Sequence, residues 1–382
     1  MRSSSTSSAR RDKQEERRSR SSRKRSRSRS REELTRKVVK RQHTEEPDRQ
    51  RLKSEVKAKD RNLELTDELP TLPFVHHYRS GKLFYVRECY KIYYKLVKAM
   101  LDDQERCITV TGTPGIGKSV FYAYCFQRLR EDQPDTWIIT AAYHRNRLIL
   151  TTVFKGSDEG KRLRPTEDVL LDVFEEASTK KKSVIYLCDG PPPSVQGMCQ
   201  MVVFTDPNEE WFRQVRKDGL TLFMPLWTYK ELEQAALALA IAGSSQISGD
   251  ALKTRFDTFG GVARECLSPF EDFVDYAKSD RIDELKQITS LDELRNLFNV
   301  DPNRSTCQRV LHCFPIDAKG MKKDTKLASP FVVESLAKRM LESSKNDMEK
   351  LRTLLKGFPQ GAPLLKWLSE FDVANPHEGA KL

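Results

Sequence analysis

The chain has 382 residues, of which 38% are hydrophobic and 32% are charged, and its net charge of +12 is distributed unevenly. Residues 1–60 hold 22 Lys and Arg against 10 Asp and Glu, whereas residues 61–382 hold 45 of each. The excess positive charge therefore lies in the first 60 residues, which excludes a uniformly basic protein. This N-terminal segment is the part of the chain that we expect to contact a polyanion. The length allows two or three domains, and no apolar run approaches the ~20 residues of a membrane helix, so a membrane partner is not expected.

Residues 1–66 form an Arg/Ser-rich arm that contains RSRSRSR at 25–31 and almost no large apolar side chains. Such a segment cannot offset the entropy cost of ordering, so disorder is predicted. Its basic clusters are typical of nuclear import or RNA binding, and its serines are typical of phosphorylation sites. The nucleus is the expected location, with nucleic acid or nuclear proteins as partners of the arm. A purely solubilising tail is the alternative.

From residue 67 the pattern is that of a folded domain. Apolar residues at helical spacing predict a helix over 84–101, and strand-like runs then alternate with amphipathic stretches. The predicted strands are 107–112, 136–143, 183–190, 200–207 and 220–227, and the predicted helices between them are 119–130, 167–177 and 209–217. This alternation implies right-handed crossovers and a parallel sheet covered on both faces. An α/β three-layer sandwich is therefore predicted at 67–245.

The eight cysteines form no CxxC pair, and several lie inside apolar runs, such as Cys107 in CITVTG and Cys188 in VIYLCDG. Metal ligation by paired cysteines is therefore not indicated. Buried, reduced thiols that pack as small apolar groups are expected, which suits a cytosolic or nuclear protein.

The sharpest motif is GTPGIGKS at 112–119, which matches GxxxxGK[ST] between a predicted strand and a predicted helix. Glycines in this loop allow backbone N–H groups to wrap closely around a phosphate, and the helix that follows adds the positive end of its dipole. Lys118 is expected at the β- and γ-phosphate oxygens, and the Ser119 hydroxyl is expected in a magnesium shell. ATP and Mg²⁺ are the predicted cofactors. The predicted binding residues in this loop are Gly112, Thr113, Pro114, Gly115, Ile116, Gly117, Lys118, Ser119 and Val120.

Further polar residues follow two of the predicted strands. Asp189 ends SVIYLCDG, where a carboxylate can hold magnesium together with Ser119. Asp206, after QMVVFT, is the second choice for this role. Thr205 either senses the γ-phosphate or caps the next helix. Lys118, Asp189 and Thr205 are the predicted catalytic set, but Gly190 occupies the position where many P-loop ATPases carry a water-activating Glu, so the sequence leaves hydrolysis open.

Residues 246–382 are predicted to be mainly helical. Helix N-terminal signals occur at 228–231, at 290–293 and at Ser329-Pro330. The stretch GGVAR at 260–264 follows a predicted helix end, and its glycines suit a C-cap. Arg264 has two open roles, a structural one and contact with the γ-phosphate from the helical region, and it completes the predicted binding set.

In series, these motifs resemble the P-loop NTPase module shared by Crinkler-type effectors of oomycetes and chytrids and the retrotransposon hot spot (RHS) proteins of trypanosomes. The stretches that carry the resemblance are FYVRECYKIYY (84–94), VTGTPGIGKSVF (110–121), VIYLCDG (184–190), FTDPNEEWFRQVRKDG (204–219), FMPLWTYKEL (223–232), FGGVARECL (259–267), VLHCFP (310–315) and ASPFVVESLAKRM (328–340). The resemblance covers residues 75–370 and implies an ATP-binding module of the AAA-like or signal-transducing (STAND) kind, with Asp189 as its second motif. Neither a nuclease constellation nor an LxLFLAK-type header is found, so nuclease activity and host delivery are not carried over. A nuclear destination, in a host if the protein is secreted, agrees with the resemblance.

Three functions compete on this evidence. The leading one is a nuclear ATP-dependent switch or weak ATPase, an effector or a nucleic-acid-associated factor. The second is an RS-rich RNA-binding or scaffold protein with a vestigial P-loop, although no RNP-like run of aromatics supports it. The third is a small-molecule kinase, in which Arg145, Arg147, Arg162 and Arg164 would belong to a lid, but these arginines fit a solvated loop equally well. The oligomeric state is left open, with a homo-oligomer as one option.

Overall fold

The computed structural model describes residues 65–66, 84–217, 219–241, 247–299, 308–343 and 347–374. These residues belong to one compact unit, Asp60–Leu382. The arm predicted over 1–66 lies outside the described residues except for the short strand β1 (Leu65–Thr66), which pairs antiparallel with β2 (Phe84–Tyr85). The predicted domain boundary after residue 245 falls at 242–246, also outside the described residues, and stays a prediction.

A central sheet of seven strands has the order β6-β5-β4-β7-β8-β3-β9. The strands are β3 (Cys107–Thr111), β4 (Trp137–His144), β5 (Arg147–Lys155), β6 (Lys161–Leu163), β7 (Val184–Asp189), β8 (Gln200–Phe204) and β9 (Gly219–Phe223). All neighbours from β4 to β9 are parallel. The α/β sandwich of a P-loop NTPase predicted from the sequence is therefore confirmed. One strand, β8, lies between β3 and β7, so the segments that follow these three strands share one edge of the sheet.

The sheet is mixed rather than wholly parallel, because β5 runs antiparallel to β4 and β6 runs antiparallel to β5. Of the four arginines considered for a kinase lid or a solvated loop, Arg147 and Arg162 lie in these two strands, whereas Arg145 lies in a turn and Arg164 follows β6. The apolar pattern missed β5 because its first half is mostly exposed at the sheet edge and only its second half is buried. A two-residue turn, Arg145 and Asn146, joins β4 to β5 with φ values of 51° and 61°.

Helices cover both faces of this sheet. They are α1 (Glu88–Asp102), α2 (Lys118–Asp132), α3 (Glu167–Thr179) and α4 (Glu209–Val215). Ile108 and Val110 pack in one apolar cluster with α1 and α2, whereas the intervening strand positions on the sheet pack in another with α3 and α4. This alternation is the period of two expected for a strand buried on both faces. The helix predicted over 84–101 begins later, at Glu88, because Phe84 and Tyr85 pair in β2.

After β9 the chain is mainly helical, as predicted. The elements are α5 (Tyr229–Ile241), α6 (Gly249–Phe259), α7 (Ala263–Cys266), α8 (Glu271–Leu285), α9 (Leu291–Asn299), β10 (Leu311–Pro315), β11 (Lys323–Leu327), α10 (Pro330–Ser343), α11 (Met348–Lys356), a 3₁₀ turn (Pro359–Gly361) and α12 (Ala362–Ala374). The antiparallel hairpin β10–β11 was not predicted. Residues from α8 to α12 form a second apolar core.

The predicted helix N-terminal signals are confirmed by their hydrogen bonds. Ser290 Oγ accepts from the Glu293 amide (3.2 Å), while Glu293 Oε2 accepts from the Ser290 amide (3.0 Å), which is a capping box. Ser329 Oγ accepts from the Val332 amide at 3.3 Å and caps α10. Each cap satisfies amides at a helix start that lack an intrahelical partner.

The cysteines agree with the sequence-based expectation. The seven described cysteines form no disulfide with one another, and five of them are buried, whereas Cys307 lies outside the described residues. Burial raises the pKa of Cys107 to about 12, so this thiol packs as an apolar group. Within the described ranges, no helix has both the length and the apolar character needed to cross a membrane.

Candidate nucleotide-binding site

The loop between β3 and α2 carries the P-loop motif. All of β3 is buried, and α2 begins at Lys118, as predicted. Gly117 precedes α2 with a φ of 99°, and a Cβ at this position would lie 2.6 Å from the Tyr90 hydroxyl oxygen. Gly115 has a φ of 85°, and a Cβ there would lie 2.6 Å from Val262 Cγ1. Both glycines are therefore required by the backbone conformation and by close packing around the loop.

Three successive carbonyls of the loop are hydrogen-bonded to the surrounding protein. Gly115 O accepts from the Arg264 amide (3.1 Å), Ile116 O from Trp227 Nε1 (2.8 Å), and Gly117 O from the Tyr90 hydroxyl (3.0 Å). Because a trans peptide points its C=O and the following N–H in opposite directions, these anchors turn the amides of residues 116–118 away from the protein wall. Such a run of amides, followed by a helix N-terminus, is suited to an anion.

The Trp227 anchor is itself held by Arg87, just before α1. Arg87 is fully buried, and its guanidinium carbon lies 4.3 Å from the centroid of the Trp227 ring. It donates to Pro225 O at 3.0 Å and forms an ion pair with Glu231 at 3.2 Å. Glu231 also accepts from the Thr228 amide at 2.9 Å in the predicted capping box of α5. A buried cation is thus fully partnered, and it fixes the indole that holds the loop.

Lys118 is the cation at the centre of the site and is only 6% exposed. Its Nζ donates to Gly112 O at 2.7 Å and Thr113 O at 2.9 Å, and it forms an ion pair with Asp206 Oδ1 at 2.8 Å. Burial lowers the pKa of Lys118, and the adjacent Asp206 carboxylate acts in the opposite direction. The ammonium therefore lies inside the loop with its three hydrogens directed at three oxygens.

The structure brings Ser119 and Asp189 together, as the sequence predicts. Ser119 Oγ, in the first turn of α2, donates to Asp189 Oδ1 at 3.4 Å. Asp189 ends β7, which is separated from the P-loop strand β3 by β8. A hydroxyl and a carboxylate at this spacing are oxygen ligands of the kind that magnesium prefers, so the pair fits the predicted metal site.

Thr205 and Asp206 follow β8, directly beside the P-loop strand. Thr205 is buried, its amide donates to Val110 O (3.0 Å), and its hydroxyl donates to Asp206 O (2.9 Å). Thr205 does not cap α4, because Asn208 Oδ1 accepts the cap hydrogen bond from the Trp211 amide. The second-choice carboxylate, Asp206, is the one in contact with Lys118, whereas the first choice, Asp189, contacts Ser119.

Gly190 directly follows Asp189 and occupies the position where many P-loop ATPases carry a water-activating glutamate. Its φ is 92°, and a Cβ there would lie 2.6 Å from the carbonyl oxygen of Tyr143 on β4. A longer side chain at residue 190 would require both an unfavourable backbone and a displaced strand. The absence of this carboxylate is therefore built into the local packing.

Other predicted binding residues contribute main chain rather than side chain. The Thr113 hydroxyl donates to Cys313 O (3.2 Å) and accepts from the Cys313 amide (3.1 Å), so it joins the loop to β10. Ile116 is fully buried in the core, and Pro114 and Val120 are partly exposed.

Arg264 lies next to the loop; the C-cap predicted for its segment is present, and its contact with the γ-phosphate stays a prediction. Gly260 ends α6, with its amide donating to Phe256 O at 2.7 Å, as a C-cap does. The Arg264 side chain is exposed, and its charge contributes to the lowered pKa of Lys118. The neighbouring Glu265 is largely buried, which raises its pKa, and its Oε2 has no hydrogen-bond partner among the described residues.

The loop anchors were missed as site residues by sequence reasoning, although the stretches that contain them were noted. Tyr90 lies 27 residues before its partner Gly117, and Arg87 lies 29 residues before Ile116. Trp227 follows Ile116 by 111 residues. The stretches FYVRECY and MPLW, which contain these residues, entered the sequence analysis only through the family resemblance.

Comparisons with known proteins give only weak similarities. No protein-family model matches the chain, and no curated protein matches it. Similar solved structures include a RuvB mutant of Thermotoga maritima (13% identity, 72% of this chain and 82% of that one, TM-score 0.32). They also include AMPPCP-bound DnaA from Aquifex aeolicus (11%, 78% and 92%, 0.30) and the S. cerevisiae Hsp104–ADP complex (12%, 76% and 45%, 0.33). At TM-scores of this size, the fold and the site rest on the strand order and contacts given above.

Proposed function

We propose that this chain is an ATP-binding switch with at most slow ATP hydrolysis. The observation that carries the proposal is the convergence, at one edge of the parallel sheet, of an anchored glycine loop, the Lys118 ammonium and the Ser119–Asp189 pair. Each has the chemistry that a polyphosphate requires: amides and a cation for the phosphate oxygens, and hard oxygen ligands for its counterion.

Ser119 and Asp189 would hold the magnesium ion, which neutralises phosphate charge when it is bound. The Lys118 ammonium would bind the β- and γ-phosphate oxygens. To do so it exchanges the Asp206 carboxylate, 2.8 Å away, for phosphate. Nucleotide binding is thereby linked to the position of the segment that follows β8.

That segment and the loop both contact the C-terminal part of the chain. Gln308 Nε2 donates to Pro207 O at 3.2 Å, and Thr113 is bonded to Cys313 in β10. A change at Asp206 or in the loop therefore reaches residues 308–313 through direct hydrogen bonds. Hydrolysis is expected to be slow, since Gly190 leaves no room for a water-activating side chain after Asp189.

Binding of Mg-ATP by the full chain tests this proposal. Lys118→Ala removes the ammonium from the phosphate site, and we expect a loss of at least about 100-fold in affinity, or about 2.8 kcal/mol. Lys98→Ala is the matched control, because Lys98 is an exposed lysine of α1 that pairs with Asp102 and should leave affinity unchanged. Failure of the wild-type chain to retain Mg-ATP at millimolar concentration would rule out the switch.

The second candidate is a scaffold with a vestigial P-loop, whose activity depends on the RS arm alone. In that case Lys118→Ala would change the stability of the chain, because Lys118 is buried and partnered, but would leave binding through the arm unchanged. We further propose a nuclear location, on the basis of the Arg- and Ser-rich sequence of residues 1–66. Deletion of these residues from a fluorescent fusion should abolish nuclear accumulation.

A role as a Crinkler- or RHS-type effector is a proposal that rests on the order of sequence motifs. The oligomeric state can be tested by sedimentation with and without Mg-ATP.

A further inference from the structure

A second charged feature lies at the same edge of the sheet, outside the proposed nucleotide site. Residues 144–164, the end of β4 with β5 and β6, are called the basic ribbon below. They contain six Lys or Arg and two acids, Asp158 and Glu159. Six cationic or titratable side chains on it are exposed: His144, Arg145, Arg147, Lys161, Arg162 and Arg164. The balanced charge of residues 61–382 as a whole conceals this local excess.

These six side chains differ from most of the other lysines and arginines in the part of the chain that the structure describes. None of them forms an ion pair or side-chain hydrogen bond with another residue that the structure describes. On the helices, by contrast, many cations pair with an acid one turn away, as in Lys98–Asp102 (3.3 Å), Arg128–Glu131 (3.0 Å) and Lys338–Glu334 (2.6 Å). Like charges on neighbouring strands repel, so the ribbon carries an electrostatic cost that an anionic partner would remove.

Register places the ribbon tip at the nucleotide edge. Ala142 of β4 is level with Asp189 of β7, and β4 continues two residues further to His144, about 7 Å beyond that level. His144 is directly opposite Arg147, across the two-residue turn. On the other side of β5, Leu163 of β6 is level with Thr151, so Arg164 also extends toward this edge.

The tip is a defined structure. Its two turn residues, Arg145 and Asn146, both have positive φ, the geometry of the tight hairpin turn that matches strand twist. A register shift opposite Ala142 and Tyr143 places an extra residue in β5, which bends the ribbon. Asn146 also lines a shallow recess with Pro191, Pro192 and Asn208, the segments that follow Asp189 and Asp206. The arginines are therefore presented from fixed backbone positions.

We propose that the basic ribbon binds the phosphate backbone of a nucleic-acid duplex. Guanidinium groups bind phosphate oxygens in a bidentate manner and remain charged at every physiological pH. The part that projects beyond the level of β7 is the two-stranded turn of β4 and β5, and a major groove of about 12 Å admits a two-stranded ribbon. Among the described residues of the ribbon no aromatic side chain is exposed, and single-strand binding by base stacking would need one. This inference goes beyond ATP binding and does not depend on it.

The test measures binding of the full chain to a fluorescent 20-bp duplex as a function of salt. The ribbon variant combines Arg145→Gln, Arg147→Gln and Arg164→Gln. The control removes the same charge elsewhere through Lys338→Gln, Lys350→Gln and Lys366→Gln, at lysines that are 60%, 74% and 78% exposed. The arm is present in both proteins and contributes equally to their binding.

If the ribbon contacts phosphates, its variant should lower the slope of log affinity against log salt by about 2–3, at about 0.9 for each lost contact. The control should keep the wild-type slope, and both variants should keep the wild-type melting temperature and Mg-ATP affinity. Equal slopes for the ribbon variant and the control would overturn the proposal. So would a ribbon effect confined to phosphatidylserine vesicles, or one confined to single-stranded DNA of the same length.

Discussion

The glycine loop at 112–119 and the basic ribbon at 144–164 end at the same edge of one sheet, yet they treat positive charge in opposite ways. In the loop, the single cation is 6% exposed and has three oxygen partners within 2.9 Å. In the ribbon, one cation, Lys155, pairs with Glu176 at 2.6 Å, whereas the other five are exposed and have no partner among the described residues. A buried charge must be partnered, whereas an exposed charge is solvated at little cost.

This difference has a functional consequence. Lys118 can bind a new anion only by exchanging existing partners, so its ligand must satisfy a fixed geometry. The ribbon arginines can attract any polyanion at long range, with strong dependence on salt. On the two proposals made above, one edge of the sheet would combine a selective small-anion site with a less selective polyanion surface. Each of the following predictions alters a residue of the glycine loop and its surroundings or a residue of the basic ribbon.

The largest expected effect comes from the loop anchor Trp227. Trp227→Ala removes a buried ring, the hydrogen bond to Ile116 O and the surface that Arg87 covers, so we expect a loss of about 3–5 kcal/mol in the free energy of unfolding. Arg147→Ala in the ribbon should change stability by no more than about 0.5 kcal/mol, because its side chain is exposed. Urea denaturation of both variants measures the difference.

A second variant separates packing from hydrogen bonding at this anchor. Trp227→Phe keeps most of the apolar area but lacks the indole N–H, so Ile116 O loses its 2.8 Å donor. The cost should be about 1–2 kcal/mol, with a measurable fall in Mg-ATP affinity. If Trp227→Phe binds Mg-ATP as the wild type does, the carbonyl anchors do not organise the loop.

The two carboxylates of the site should respond in opposite directions to neutralisation. Asp206→Asn removes the ion-pair partner of Lys118 and a negative charge near the phosphate position, so Mg-ATP affinity should rise about 3–10-fold. Asp189→Asn weakens the magnesium ligand beside Ser119, so Mg-ATP affinity should fall about tenfold. Calorimetric titration with Mg-ATP measures both variants.

Repeating the titration in EDTA supplies the control. Without magnesium, the effect of Asp189→Asn should largely disappear, whereas the gain from Asp206→Asn should remain. If both variants weaken binding to the same extent, the two carboxylates act together on the metal, and the exchange of Asp206 for phosphate at Lys118 is wrong.

The parts of the fold that could be predicted are those encoded by contiguous residues. The loop follows from eight residues in a row, and the parallel strands follow from runs of apolar residues such as CITVTG. The strands β5 and β11 were missed because each is partly exposed and carries Arg, Lys or Thr among its apolar residues, and β10 was missed because its five residues, LHCFP, include a histidine and end at a proline. An edge strand pairs through its backbone, so its side chains need not show an apolar pattern.

Contacts between distant residues explain the remaining differences. The indole of Trp227 reaches Ile116 across 111 residues, and the P-loop hydroxyl of Thr113 reaches Cys313 across 200. No spacing rule links such positions. From the sequence, only the arm is expected to attract polyanions, because the net charge of residues 61–382 is zero. A net charge of zero over 322 residues does not show where strands bring cations together, so the basic ribbon was not foreseen.

The smallest effect concerns two threonines beside the first glycine of the loop, and it isolates one hydrogen-bonded contact. Thr113 is buried, and its hydroxyl exchanges two hydrogen bonds with Cys313 (3.1 and 3.2 Å). Thr111 is buried two residues earlier, but its hydroxyl has no partner among the described residues.

Thr113→Val should destabilise the chain by about 1–2 kcal/mol, because the Cys313 amide loses its acceptor while it stays buried. Thr111→Val, the matched control, should be neutral or slightly stabilising, because it replaces an unsatisfied hydroxyl with a methyl group of similar size. Equal changes in the free energy of unfolding would mean that the bond between the P-loop and β10 contributes nothing. A loss confined to Thr113→Val would show that the loop and the C-terminal hairpin are energetically coupled, which the proposed switch requires.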